Sequence, residues 1–573
     1  MFILDCRSNH NLPVLGICSW KIKNKQMKIK SSFLILIYSV VFTGLTSCDR
    51  NARKSRDELQ DSIKKEALKK WDETIPGSFS EQRDLKFDSV SIDSFLKSYP
   101  ALASYKDSIT EFYKRRDYAY AWFNKDGIIE QAGNLADRIR NIAHEGIYKD
   151  MPYSKELDSL IYAGHGKVKA SAQTELMLTG QYFVFANKVW QGVDEKTSKS
   201  VQWYVPRKKV SYADLLDSLL ASRSSLQTVE GRPVYRQYVL LRSFLAKYRS
   251  LENQKEILNI SMDAGKKSFK MGDSSDNIAK IRRRLYFLGD YKESDTLSNL
   301  YDANLENAVK GFQERHGLSN DGVIGLGTIK EMNVPLKDRI RTIIVNMERY
   351  RWVPAGLNKE YLGINIPEYK LHVYDADSLL WSCNVVVGKD VHKTVVFQGD
   401  LKYIVFNPYW NVPPSIVRNE ILPAMKRNSN YLRQHNMEVT GQSNGLPVIR
   451  QLPGKNNSLG LVKFLFPNNF NIYLHDTPAK ELFNREERAF SHGCIRVSEP
   501  QKLAEFLLKD YKDWNSENIS KTMHGAKEKW VTLKESVPVF IGYFTAFVDR
   551  NGQINFRKDI YNRDGALEKM ILK

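Results

Sequence analysis

Two textures divide the chain. From about residue 92 to residue 270, apolar residues recur every three or four positions. LADRIRNIAHEGI and ELMLTGQYFVFANKVWQG are examples, and the spacing predicts a helical scaffold. Residues 273–335 predict a compact module of three short helices. Ile278, Ile281, Leu285 and Leu288 form one stripe, closed by Gly289. Leu305, Ala308, Val309 and Phe312 form a second, closed by Gly317 after His316. Asp321-Gly322 reads as a turn, and Thr328 caps or enters a third helix that ends near Pro335. From 336 onward the pattern becomes alternating and β-branched. YLGINIPEYKLHVYD, LLWSCNVVVGK, LKYIVFNPYW and NFNIYLHD predict strands. VPVFIGYFTAFVDRNGQINF predicts a hairpin, with Asn551-Gly552 in a type I′ turn. Between Pro413 and Lys463 the strands give way to a helical, loop-rich insertion of a size and place that suit a lid. The fold class expected is multidomain α+β, with a mainly β domain over 336–562.

The N-terminal pattern is different again. Met27-Lys28-Ile29-Lys30 opens a short basic region that reads as a better start than Met1. The apolar run Phe33–Leu45 has the length of a signal peptide and is short for a membrane span. It ends in Leu45-Thr46-Ser47-Cys48, which resembles a bacterial lipobox and makes Cys48 the candidate lipidated residue. An ordinary secretory signal and an uncleaved anchor are the alternatives. Residues 1–47 are thus a signal region. Residues 48–91, polar and charged, are a tether.

The 573 residues are too many for one core and suggest three or four domains. Hydrophobic residues make up 42% and charged residues 27%, which places the chain among globular proteins. The formal charge of +20 favours an anionic partner or surface. The excess is spread along the chain without a nucleic-acid-binding signature, so nucleic acid is not expected. Cysteine is scarce. Of the five, Cys6 and Cys18 fall in the signal region and Cys48 would carry lipid, leaving Cys383 and Cys494. A disulfide-stapled secreted protein would have more.

Chemistry concentrates in SHGCIRVSEPQKLAEFLL, residues 491–508. Cys494 follows a glycine and precedes a helix, for which Ser498 and Gln501 read as a capping box. His475, in NIYLHDTP, stands at the end of a predicted strand. A thiol that attacks a carbonyl needs a base, and an imidazole can take its proton and later hand it to a leaving amine. Gly493 allows close backbone approach, so the N–H groups of Gly493 and Cys494 are candidate oxyanion donors. Arg496 adds positive charge that favours thiolate and could bind a carboxylate. Three alternatives stay open: His492 as the base, a zinc site from His475, His492 and Cys494, and a structural Cys494. His144 and His165 are isolated and read as structural.

These residues resemble the L,D-transpeptidase (YkuD-type) catalytic domain. That family's pattern is a histidine, 14 to 17 residues, then Ser/Thr-His-Gly-Cys, and here fifteen residues separate His475 from Ser491. YLHDTP, SHGCIRV and NPYWNVPPSI resemble the large periplasmic members, which join a scaffold, a peptidoglycan-binding module and a catalytic domain with a lid. FQ-x-x-HGL-x-x-DG-x-IG-x-x-T over Phe312–Thr328 resembles the peptidoglycan-binding type 1 domain. Thr394-Val395 departs from the pattern, where threonine-proline is expected. The resemblance implies Cys494 as nucleophile and His475 as general base. It implies that Ser491, His492, Gly493 and Arg496 shape the site and its oxyanion hole, and that Tyr473, Asn407 and Trp410 are candidate substrate contacts. Asp476 is not implied as a triad acid, because in this family a backbone carbonyl often orients the base.

The implied reaction is a 3→3 cross-link made through a cysteine thioester from a tetrapeptide stem, with no metal or organic cofactor. The alternatives are hydrolysis at the same site, as an L,D-carboxypeptidase or wall-amide hydrolase, and a non-catalytic tethering lipoprotein. The implied partners are peptidoglycan stems and glycan strands, the membrane through the lipid, and cell-wall synthesis enzymes. The implied location is the periplasm of a Gram-negative-type envelope.

Overall fold

The computed structural model describes residues 85–572 apart from 125–126, 163–167, 222–233, 255–258, 355–358 and 377. The signal, lipobox and Cys48 readings, most of the tether, and His165 lie outside the described residues. No helix of the described residues is long and apolar enough to cross a membrane.

Helices dominate from Val90 to Asn253. At their centre Ala172–Ala186 is buried on all sides from Thr174 to Ala186. Glu175 lies within it, fully buried, and accepts hydrogen bonds from the Tyr113 hydroxyl (2.7 Å) and the N–H groups of Ala121 (2.5 Å) and Trp122 (3.1 Å). Burial pushes its carboxyl up to about 7, against those three donors.

The next module has its own core of Ile278, Ile281, Leu285, Leu305, Val309 and Phe312. Its helices are Asp276–Leu288, Ala303–Arg315 and Leu326–Met332, and Thr328 lies inside the third. Ser275 and Asp302 cap the first two through their side chains. Gly289 ends the first at φ +89°, a left-handed conformation that a side chain would strain. The module is docked on the rest of the chain. His316 is buried and stacks on Phe556, with ring centroids 5.7 Å apart. Arg557 donates to the Arg315 carbonyl (2.9 Å), and the Ser319 N–H donates to Glu486 (2.6 Å).

Residues 336–352, expected to open the β region, are instead the buried helix Leu336–Trp352. Ile340, Ile343, Ile344, Met347 and Tyr350 keep a helical period there, and that period outweighs the β-branched composition. This helix ties to the C-terminal helix Arg563–Ile571, beyond the expected end of the domain, through Arg349 and Asp564 at 2.6 Å.

The β domain is built from β1 (Glu360–Asn365), β2 (Lys370–Asp375), β3 (Ser378–Gly388), β4 (Phe397–Phe406), β5 (Trp410–Asn411), β6 (Met437–Ser443), β7 (Leu446–Gln451), β8 (Val462–Leu465), β9 (Leu474–His475), β10 (Ala489–Ser491), β11 (Ile495–Val497), β12 (Lys529–Gly542), β13 (Ala546–Val548) and β14 (Ile554–Phe556). The large sheet runs β10-β3-β11-β9-β8-β4-β12-β1-β2, and β2 also pairs β3, which closes eight strands on themselves. Ile404, Phe406, Val462, Phe464, Leu474, Ile495 and Val497 face the core. The alternate positions face outward, where the site is.

The insertion is as much strand as helix. Short helical turns over Pro414–Arg427 and Tyr431–Gln434 pack on a β5-β7-β6 sheet around Val412, Ile416, Val417, Ile421 and Ile449. The two-residue turn between β6 and β7 is Asn444-Gly445, with both φ positive, which is the I′ requirement. The other Asn-Gly, at 551–552, does not make one, because only Gly552 has positive φ. There the Asp549 side chain accepts from the N–H groups of Asn551 and Gln553, both at 2.9 Å, and holds a longer loop between β13 and β14.

Candidate active site

The nucleophile candidate sits in the tight loop between β10 and β11. Ser491 Oγ braces this loop by accepting from the Gly493 N–H (3.1 Å) and donating to the Cys494 carbonyl (2.5 Å). The Gly493 N–H is therefore committed to Ser491 and is not the oxyanion donor expected from the sequence. The Cys494 N–H makes no hydrogen bond among the described residues. Gly493 stands at φ +113°, outside the range of ordinary side chains. Its carbonyl accepts from Thr394 Oγ1 at 2.8 Å, and that hydroxyl in turn accepts from the Gly388 N–H at 2.9 Å. Thr394, fully buried, thus pins the loop from 99 residues away.

Register assembles the rest. In the parallel β9–β11 pair, Leu474 lies opposite Ile495 and His475 opposite Arg496. One step back, Tyr473 lies beside Cys494, and the Ile495 N–H donates to the Tyr473 carbonyl (3.1 Å). Side chains alternate across a strand, so Tyr473, His475, Cys494 and Arg496 share the outward face. The row through His475 continues across the sheet as Val386, Arg496, His475, Lys463, Val405 and Trp530. Two cations therefore flank the histidine.

That placement sets the proton balance. His475 is buried, and its imidazole is held down to about 3, first by burial and then by Arg496, with Lys463 adding to it. Nδ1 faces the Asp476 carbonyl at 2.5 Å. The Leu459 carbonyl is the ring's other backbone neighbour. The Asp476 carboxylate itself accepts from the Leu461 N–H and pairs with Lys480, so the carbonyl orients the ring. Burial also pushes the Cys494 thiol up, against the Tyr473 N–H, the Tyr473 hydroxyl and Arg496. Both partners of the resting pair are neutral. No hydrogen bond joins them among the described residues, and the thiol instead donates to the Asn471 carbonyl at 3.5 Å. Such catalytic contacts are commonly loose in a free enzyme.

The remaining candidates separate clearly. Trp410 donates to the Tyr473 hydroxyl, and burial beside the Cys494 sulfur raises that phenol. Asn407 is buried at φ +46° and donates to the Gly525 carbonyl (2.5 Å), which spends its amide on the fold. His492 turns away to the insertion, where Nε2 meets Glu420 at 2.7 Å, and His392 lies beside it with ring centroids 5.0 Å apart. Cys383 is buried in β3, where burial pushes its thiol up to about 11. Among the described residues no group of three or more His, Cys, Asp or Glu side chains is placed to hold a metal. The expected Ser498 cap is absent. The helix is Pro500–Leu507 with Glu499 before it, and Gln501 bonds Glu505 (3.0 Å) and Ser516 (3.3 Å) instead. A proline at the first helical position needs no donor satisfied.

Thr394, Lys463 and Glu420 escape a sequence reading. Only the threonine carries a signal, as the surviving half of a threonine-proline pair.

Residues 359–531 match the family described as L,D-transpeptidase catalytic domain. Residues 107–245 match the family described as "Scaffold domain", and residues 274–332 the one described as "Putative peptidoglycan binding domain". A curated Haemophilus influenzae protein named "Putative L,D-transpeptidase" is 34% identical over 253 residues, which cover 41% of this chain and 50% of that protein. The match thus spans about half the length of that relative. A solved L,D-transpeptidase from Xylanimonas cellulosilytica is 14% identical, over 49% of this chain and 100% of that one, with a TM-score of 0.17. One from Stackebrandtia nassauensis is 14% identical, over 50% and 98%, with a TM-score of 0.21. Superpositions this loose add nothing to the sequence match. Residues 359–531 are thus an L,D-transpeptidase catalytic domain, carried with a scaffold domain and a peptidoglycan-binding type domain.

Proposed function

We propose that the protein is a lipid-anchored periplasmic enzyme that joins two peptidoglycan stems by a 3→3 cross-link. The observation that carries this reading is the outward face of β9 and β11. It gathers Cys494, Tyr473, His475 and Arg496, while Cys383 is buried in the barrel.

The chemistry follows from the neutral pair. Cys494 attacks the carbonyl at the L-centre of a diamino acid in a tetrapeptide stem, and its proton passes to neutral His475 as the C–S bond forms. The Cys494 N–H and the Tyr473 hydroxyl are the donors on this face for the developing oxyanion. His475 returns the proton to the leaving nitrogen, the C–N bond breaks, and the terminal D-alanine departs. The side-chain amine of a second diamino acid then attacks the thioester. His475 takes a proton from that amine, the C–S bond breaks, and the thiol is restored.

Water competes with the amine for the thioester. Transfer wins only if the acceptor is held close and water is excluded. The insertion, tied to the catalytic loop through Glu420 and His492, is the element suited to both tasks. The test is incubation of tetrapeptide muropeptides with the enzyme, followed by mass spectrometry. Cross-linked dimer is expected. Tripeptide alone would replace this reading with hydrolysis.

A further inference from the structure

A buried guanidinium without a partner is costly, because charge removed from water must be matched by charge or hydrogen bonds. Arg496, half-buried beside the candidate nucleophile, carries part of that cost. Its Nε is buried with no hydrogen-bond partner, and among the described residues no carboxylate is ion-paired with it. Glu481 acts on it only through its field. Most other arginines with a buried orphan nitrogen are anchored elsewhere, and the exception, Arg283, lies on the first helix of the small module. Arg116 pairs with Asp217, Arg138 with Glu145, Arg207 donates to the Val193 carbonyl, and Arg563 donates to Gln202. Lys463, the other cation of the row, is also engaged. It lies over the Trp530 ring at 5.5 Å and reaches the Tyr409 carbonyl at 3.5 Å. Arg496 alone of the two cations flanking His475 has its hydrogen-bonding edge unspent.

Its place along the strand fixes what it can meet. Arg496 is two residues beyond Cys494 on the same face, about 6.6 Å along β11. A peptide chain advances about 3.5 Å per residue. When the scissile carbonyl is at Cys494, the terminal carboxylate of a one-residue leaving group lies roughly that far onward, between nucleophile and guanidinium. A two-residue leaving group puts a neutral amide there and carries its carboxylate beyond. The planar fork of arginine matches a carboxylate in two parallel hydrogen bonds and does not match an amide.

We infer that Arg496 is the donor-specificity residue, binding the C-terminal carboxylate of the departing D-amino acid and so selecting stems with a single residue after the diamino acid. This rests on the proposed acyl transfer and names the residue that reads the donor's end. An anion bound there also neutralises the cation beside His475. That eases protonation of the imidazole at the moment the thiol loses its proton, so the correct donor assists its own attack.

The test compares three synthetic donors at equal concentration and without an amine acceptor. These are the tetrapeptide with a free terminal carboxylate, the same peptide as its terminal carboxamide, and the pentapeptide. The rate of thioester formation is followed by rapid quenching and intact mass. In the unaltered protein the free acid should exceed the amide and the pentapeptide by roughly ten- to a hundredfold, the worth of a charge-assisted pair. Arg496→Gln should bring the acid-to-amide ratio close to one, and Arg496→Lys should leave an intermediate ratio. The ratio is internal to each protein, so general damage to the variant cancels. Equal rates for acid and amide in the unaltered protein, or an undiminished ratio in Arg496→Gln, overturn the assignment while leaving acyl transfer standing. Absence of thioester from every donor overturns acyl transfer, and this assignment with it.

Discussion

Iodoacetamide offered to the intact protein at a series of pH values reads the resting state of the nucleophile. Only thiolate reacts, so the rate follows the thiolate fraction. Burial raises the Cys494 thiol, and the imidazole nearby is held down to about 3. A neutral imidazole cannot stabilise thiolate by ion pairing. The labelling rate at Cys494 should therefore climb about tenfold per pH unit, or about a hundredfold between pH 6 and pH 8. His475→Ala should leave that slope in place, because no imidazolium is lost. Cys383, buried in the barrel with its thiol pushed up to about 11, should label more slowly still. Proteolysis and mass spectrometry resolve the two sites. A plateau at Cys494 below pH 7 would mean a resting thiolate–imidazolium pair, and the account of burial and flanking cations would fail.

Carbapenem acylation, which needs a base, should fall at least about a hundredfold in His475→Ala and much less in His492→Ala, whose ring is turned to Glu420; the reverse order makes His492 the base. Thr394→Val leaves the Gly493 carbonyl and the Gly388 N–H without their partner, so urea unfolding should show a loss of about 2–4 kcal/mol, and an unchanged midpoint contradicts the pinning role. Because His475 binds its proton less readily folded than unfolded, its contribution to stability is full above about pH 6.5 and is lost as pH falls toward 3, at about 1.4 kcal/mol per unit. His475→Gln should flatten that part of the slope between pH 7 and pH 5, and parallel slopes count against the burial argument. Shortening the insertion should raise the ratio of tripeptide to dimer while Cys494 still acylates; a constant ratio removes its role as a lid.

The candidate site was legible in the sequence because its signals are local. A strand end, a loop and a glycine fix Cys494, and the fifteen-residue spacing brings His475 to the neighbouring strand. The helical periods of the scaffold and of the small module are likewise short-range. Register is not. Nothing in the string sets Tyr473 beside Cys494 or lines up Arg496, His475 and Lys463, since a one-residue slip would send each to the opposite face. Long-range hydrogen bonds are also invisible, as Thr394 and Gly493 illustrate. Where local rules misled, a competing local interaction won. The helical period of 336–352 outweighed its β-branched residues. Asp549 took the turn donors that a type I′ geometry at Asn551 would have left free. Pro500 made a capping serine unnecessary.

The protonated resting state of Cys494 also governs how the protein ages. Thiolate is the form that attacks peroxide and disulfides, and the first step to sulfenic acid depends on it. A nucleophile kept as thiol by burial and by an uncharged imidazole meets these oxidants slowly at neutral pH. Cys383 is sealed in the barrel and offers no accessible second thiol for disulfide closure. In the proposed periplasmic setting, durability therefore comes from withholding the reactive form until a substrate draws the proton away. The corollary is a chemical clock. Inactivation by dilute peroxide should accelerate with pH in step with alkylation, and the same two neutral side chains should set both curves.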